Sequence, residues 1–110
     1  MKKRRRHPEQ IIRQPKGTCY LCWRLNGRHG EIPDLETHHV FFGTANRIKS
    51  EERGLKVRLC RHHHEMVHRE ITVNRFLQRE SQKQWESMPG NSREKWMEIF
   101  GRNYLTGSEE

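Results

Sequence analysis

The sequence predicts a small α+β domain: two short strands and a helix, followed by two further helices. Two stretches, 37–42 and 55–59, have strand composition and lie beside Gly43 and Gly54. All three cysteines and seven of the eight histidines fall between residues 19 and 68, so side chains able to bind metal are concentrated in that half. Beyond residue 70 the apolar residues recur at helical spacing.

The 110 residues suit one domain, and with 31% hydrophobic and 33% charged residues its core is thin. Small domains of that kind commonly need a metal or disulfides. Three cysteines cannot all pair, and the start Met1-Lys2-Lys3-Arg4-Arg5-Arg6 leads into no apolar run. A reduced, cytoplasmic protein binding metal through thiolates is therefore expected. No stretch approaches a membrane span. The formal charge of +8 is uneven: residues 1–16 carry seven Lys/Arg against one Glu, the other 94 fifteen against thirteen. Residues 1–16, with Pro8 and Pro15, read as a disordered basic arm in which Lys2, Lys3, Arg4, Arg5 and Arg6 attract phosphate backbones. A merely solubilising tail is the blander alternative.

Taken in order, Gly17 to Trp23 forms a compact turn around Cys19 and Cys22, whose spacing lets both thiolates reach one Zn²⁺. A Cys-x-x-Cys also suits a redox pair, but that expects a following helix, and Asn26-Gly27-Arg28-His29-Gly30 reads as loop. Residues 24–36 are polar and turn-rich. In the strand 37–42 alternation sends His38, Val40 and Phe42 to one face and His39 and Phe41 to the other. Residues 43–54 read as a loop with at most a helical turn through Ile48. The second strand, 55–59, alternates apolar and basic residues and pairs with the first. A helix over 62–69 stacks His64 and His68, four apart, on one face. Thr72 or Asn74 caps a helix running to about Ser87, with Val73, Leu77 and Met88 as a thin stripe broken by Ser81 and Gln84. Pro89-Gly90 ends it. A last helix starts at Asn91 or Ser92, and its Trp96, Ile99, Phe100 and Tyr104 form a core or docking stripe. Residues 106–110 are a tail.

Cys60 with His63 offers a second half-site, completing a Cys₃His set with Cys19 and Cys22 as in structural zinc sites. His62 is the alternative fourth ligand, although the two-residue spacer favours His63. His38, His39, His64 and His68 remain, and four spare histidines in so small a module point to a second metal site with open coordination positions.

The order Cys-x-x-Cys, His-His at a strand end, Cys-x-x-His, His and a further His resembles the HNH endonucleases, which have the ββα-metal fold. The match spans about residues 19–68, with His63 where many members have a second cysteine. Residues 39–43 and 54–60 also look like small phage and prophage HNH proteins, some similar to RecA-dependent recombination nucleases. The resemblance implies a zinc-bound ββα-metal module over 17–70, to which the two helices read from the residues add an extension over 71–105. It implies that His38, His64 and His68 hold a catalytic Mg²⁺ or Mn²⁺ (or Zn²⁺) and that His39 is the general base. The family's middle Asn is replaced here by Leu55; Asn46 is the substitute expected to orient His39. Arg47 and Arg58 are candidate phosphate contacts.

The expected function is metal-dependent hydrolysis of DNA phosphodiester bonds, leaving 5′-phosphate and 3′-hydroxyl ends by analogy with the family. It would serve phage-type DNA processing or recombination in a bacterium or phage-infected host, with a recombinase filament or another phage DNA-processing protein as candidate partner. The alternatives are a non-catalytic zinc module that binds nucleic acid and a degenerate nuclease acting as a scaffold.

Overall fold

The computed structural model describes residues 9–28 and 30–105. The basic run Lys2–Arg6 and the tail 106–110 lie outside them. Five helices and a two-stranded sheet follow in the order α1 (Tyr20–Asn26), β1 (Glu36–His39), α2 (Thr44–Arg53), β2 (Lys56–Leu59), α3 (Arg61–Arg69), α4 (Ile71–Glu86) and α5 (Arg93–Phe100). This is the α+β class the sequence predicts.

β1 and β2 pair antiparallel, with Glu36 opposite Leu59, Thr37 opposite Arg58, His38 opposite Val57 and His39 opposite Lys56. Strand alternation then defines two faces. Glu36, His38, Val57 and Leu59 share the inner one, where Val57 and Leu59 are fully buried. Thr37, His39, Lys56 and Arg58 share the outer one. β1 is shorter than 37–42. After His39 only Val40 N–H still reaches across, to Leu55 O at 3.0 Å. Phe41 is satisfied instead by Ser50, whose Oγ donates to Phe41 O at 2.8 Å and accepts from Phe41 N–H at 3.2 Å.

Residues 43–54 are not a loop. α2 fills that span, and Gly54 closes it in the left-handed conformation at φ 70°. The helix was hidden because it has almost no apolar stripe: Ile48 is exposed, and Ser50 is its buried residue. Ala, Arg, Lys and Glu, all strong helix formers, carry it instead. Gly54 is required twice over, since a Cβ there would lie 2.3 Å from Glu9 O.

That contact belongs to a second correction. Residues 9–16, expected in the arm, pack on the body: Ile12 is 2% exposed, and Ile11 N–H donates to Gly54 O at 2.9 Å. Gln14 caps the edge of β2, donating from Nε2 to Arg58 O at 2.8 Å while Oε1 accepts from Arg58 N–H at 3.1 Å. An amide side chain thus stands in for a third strand and closes an otherwise open edge.

A third correction concerns Cys19–Asn26, read as a turn and loop. It is a helix capped by Cys19, whose Sγ accepts from Cys22 N–H. Its Tyr20 and Leu21 are fully buried.

α4 starts at Ile71 after Glu70, not after Thr72 or Asn74. Its buried face is Leu77, Ser81, Gln82 and Trp85, while Met88 is exposed. Gln82 fixes the segment after α5: Nε2 donates to Asn103 Oδ1 at 2.9 Å and Oε1 accepts from Tyr104 N–H at 2.7 Å. Ser92 caps α5 as expected. Trp96, fully buried, lies 5.3 Å from Phe41, which also touches Phe100 and Tyr104 at 5.0 and 4.7 Å between ring centroids. The stripe is core, and Phe41 is the plug by which the C-terminal helices grip the strands.

Candidate metal centres

The first centre joins the two half-sites seen in the sequence. Cys19 and Cys22 come from the start of α1, Cys60 precedes α3, and His63 lies in its first turn. His63 Nδ1 is 3.5 Å from Cys19 Sγ, 3.5 Å from Cys22 Sγ and 3.4 Å from Cys60 Sγ. One ring nitrogen cannot make three hydrogen bonds at once. Zn–S bonds of ~2.3 Å and Zn–N of ~2.0 Å at tetrahedral angles put S and N about 3.5 Å apart. The three S–N distances are thus those of a zinc tetrahedron, and all four ligand atoms lie within 4.8 Å of one another. His63 is the ring turned inward, and His62 is exposed on the surface, which decides between the two. Without a cation the thiols oppose each other's ionisation: burial, then Cys19 and Cys60, push Cys22 up to about 12. A divalent cation removes that penalty. This cluster can hold a structural zinc. Because both sulfurs of the Cys-x-x-Cys face this set and no βαβ unit surrounds it, the helix after Cys22 does not revive the redox reading.

The second centre is His38, His64 and His68, whose ligand nitrogens lie within 4.8 Å of one another. Ring centroids are separated by 5.1, 5.4 and 5.5 Å for the pairs 38–64, 38–68 and 64–68. His38 Nε2 is buried with no hydrogen-bond partner among the described residues, a costly state that a metal bond would relieve. Burial holds this imidazole down at about 3, helped by repulsion from His64, His68 and His39. It is neutral at pH 7, as a ligand must be. His64 Nδ1 donates to Glu36 Oε1 at 2.7 Å, leaving Nε2 with its lone pair. That hydrogen bond, seconded by Arg61 at 3.2 Å from Glu36 Oε2, keeps the carboxyl below its usual range. A carboxylate behind a ligand histidine fixes ring and tautomer in metal sites generally. A cavity of about 420 Å³, lined by Glu36, Arg61, His64, Glu65, His68 and Arg69, opens onto this cluster. Three imidazoles on an open pocket suit a transition ion with room for further ligands, and suit Mg²⁺ less well.

His39 does not join this cluster. It lies across the strand from His38, and its Nε2 is 2.6 Å from Glu51 Oε1. Glu51 Oε2 is 3.1 Å from Lys56 Nζ. The hydrogen bond from His39, then Lys56, lowers the Glu51 carboxyl, so it only accepts. In the neutral ring Nε2 therefore carries the proton and Nδ1 the lone pair. Asn46, expected to orient His39, makes no hydrogen bond to it; Glu51 does so from the next turns of α2. Arg47 is exposed on α2 and Arg58 on the outer face of β2.

Two carboxylates were thus missing from the predicted site. Glu36 was within reach, since alternation puts it on the face of His38. Glu51 had no sequence signal, because α2 itself was not visible. No helix of the described residues is long and apolar enough to cross a membrane. No family model matches the chain, and neither a curated protein nor a solved structure shows significant similarity to it.

Proposed function

We propose that this chain is an HNH-type endonuclease, cleaving DNA phosphodiester bonds with a divalent ion held by His38, His64 and His68. The observation that carries the reading is one strand, β1, offering His38 to an open three-nitrogen cluster and the adjacent His39 to a carboxylate. Two antiparallel strands and a following helix bearing both clusters are what the ββα-metal reading requires. An ion bound there supplies Lewis-acid stabilisation of charge developing on the phosphate. His39, with Nε2–H anchored on Glu51, keeps Nδ1 free to take a proton from the attacking water, and Glu51 steadies the imidazolium that results. Glu36 holds His64 in its ligand tautomer. Arg69, at the mouth of the pocket, is placed to attract a phosphate, while Arg61 beside it is engaged by Glu36 and Glu65. The Cys₃His zinc holds α1 and α3 together and so fixes where His64 and His68 point. Phage-type DNA processing inside a bacterial cytoplasm, with or without a recombinase filament, is the setting this reading implies.

Nicking of supercoiled plasmid, with Mg²⁺, Mn²⁺ or Zn²⁺ added, tests the reading. Wild-type protein should nick, and His39→Ala should lose about 10²- to 10⁴-fold in rate while keeping its zinc. Equal rates in both would remove His39 from the mechanism. The second reading, a non-catalytic zinc module that binds nucleic acid, draws on His39 lying on the opposite face from the triad. Metal counting separates the two: one tightly bound zinc favours the binding module, and a second, exchangeable ion favours the nuclease.

A further inference from the structure

A concavity larger than the pocket beside the histidine triad lies away from both metal clusters. It is a groove of about 790 Å³ between residues 9–18 and the outer face of the strands, reaching Thr37, Lys56 and Arg58. Its cationic lining is Arg13, Lys16, Lys56 and Arg58, against one carboxylate, Glu9. Arg13, Lys16 and Arg58 are exposed and have no ion-pair partner among the described residues. The groove is built rather than incidental: Gln14 binds the Arg58 backbone in both directions, and its Nε2 also donates to Thr18 O at 2.6 Å. Lys56 connects the groove to the site, since it shares Glu51 with His39, and His39 faces the same side of the sheet.

We infer that this groove seats the sugar–phosphate backbone of one DNA strand, with Arg13, Lys16 and Arg58 as phosphate contacts, and leads it past the C-terminal end of β1. The choice of DNA rests on the nuclease reading; the groove itself rests on the unpaired cations. Its lining contains no aromatic ring, so it has no platform for stacking bases. Binding is therefore through phosphates, salt-sensitive and indifferent to sequence.

The test uses the full zinc-loaded chain carrying His39→Ala, so that cleavage cannot interfere. Fluorescence anisotropy of labelled duplex and single-stranded oligonucleotides is followed from about 50 to 200 mM salt, the range over which phosphate contacts show. The triple variant Arg13→Ala/Lys16→Ala/Arg58→Ala should lower the slope of log K against log salt by roughly 2 to 3, at 0.7 to 0.9 per contact. Arg28→Ala/Arg75→Ala/Lys95→Ala removes the same charge from exposed positions outside the groove and should lower it far less. Lys16→Glu alone, at an exposed side chain, should weaken binding without moving the melting temperature. Equal losses in both triple variants would reduce the effect to net charge and overturn the groove. Unchanged binding in the first triple, or no binding by the parent chain, would overturn it as well. Binding that depends on the groove in a chain whose wild type never nicks DNA would uphold the groove and sink the nuclease.

Discussion

The two clusters that could hold a metal draw on the same helix and differ in almost every other respect. Cys60 and His63 sit at its start, facing Cys19 and Cys22 in a closed set of four; Cys19 is fully buried and His63 is 5% exposed. His64 and His68 face His38 in a set of three, and His68 lies at the surface beside an open cavity. His63 and His64 are neighbours in sequence, yet a helix turns about 100° per residue, which is enough to send them to different sites. The contrast shows how a domain with little apolar material divides its ligands. A complete set ties segments together, and an incomplete set with a carboxylate behind it leaves coordination positions open.

The largest expected effect would come from breaking the closed set. Cys60→Ser, or removal of zinc by a strong chelator, should abolish cooperative unfolding, because structural zinc contributes on the order of 10 kcal/mol in small domains. Far-ultraviolet circular dichroism during a thermal melt reads this directly; a chelated protein that still melts sharply would mean that the core alone suffices. His68→Ala should do the reverse. Its fold and first zinc should survive, with plasmid nicking lost and metal content by elemental analysis falling by one ion. Should His68→Ala unfold the chain, the second cluster is structural too.

A smaller effect is expected from the carboxylates. Glu36→Gln keeps size but weakens the anchor on His64, and should lower affinity for the second ion about 10- to 100-fold, measurable by titration calorimetry on zinc-loaded protein. Unchanged affinity would make Glu36 a surface ion pair only. Glu51→Gln should lower the nicking rate with little change in metal affinity, which separates the two carboxylates by the cluster each serves.

The remaining effect is on pH. Burial of His38 lowers its folded pKa to about 3, below the ordinary value of 6.5. Below 6.5 the unfolded chain binds the proton more readily than the folded one. The stability from a neutral His38 is thus complete above that pH and is lost progressively as pH falls toward 3. Glu36 and Glu51, also lowered, add losses in the acid part of the same window. Urea melts of the zinc-loaded protein without a second ion, followed by tryptophan fluorescence, should show the midpoint falling from pH 7 to about pH 5.5, before acid releases the thiolate-bound zinc. His38→Phe should flatten the upper part of that fall, and an equally steep profile would place the titrating group elsewhere.

Composition and spacing made the class of fold, the two half-sites and the group of spare histidines legible, and the family resemblance narrowed that group to His38, His64 and His68. Cysteine and histidine are rare, chemically distinct and tied by geometry to short spacings, so Cys19, Cys22, Cys60 and the histidine pairs announce themselves. Strand alternation placed His38 and His39 on opposite faces. The α5 stripe, with Trp96 at its centre, was legible because burial of a helix leaves a period of 3.6. Tertiary structure decided what no local pattern encodes. α2 has no apolar face, and its position beside β1 brings Glu51, not Asn46, to His39. Residues 9–16 look like a charged arm until Ile12 finds a cavity and Gln14 an unpaired strand edge. The sequence determines which residues can bind, because ligand chemistry is a property of side chains. Which of them meet is fixed only when the whole chain packs, because a hydrogen bond between residues far apart in sequence exists only in the folded state.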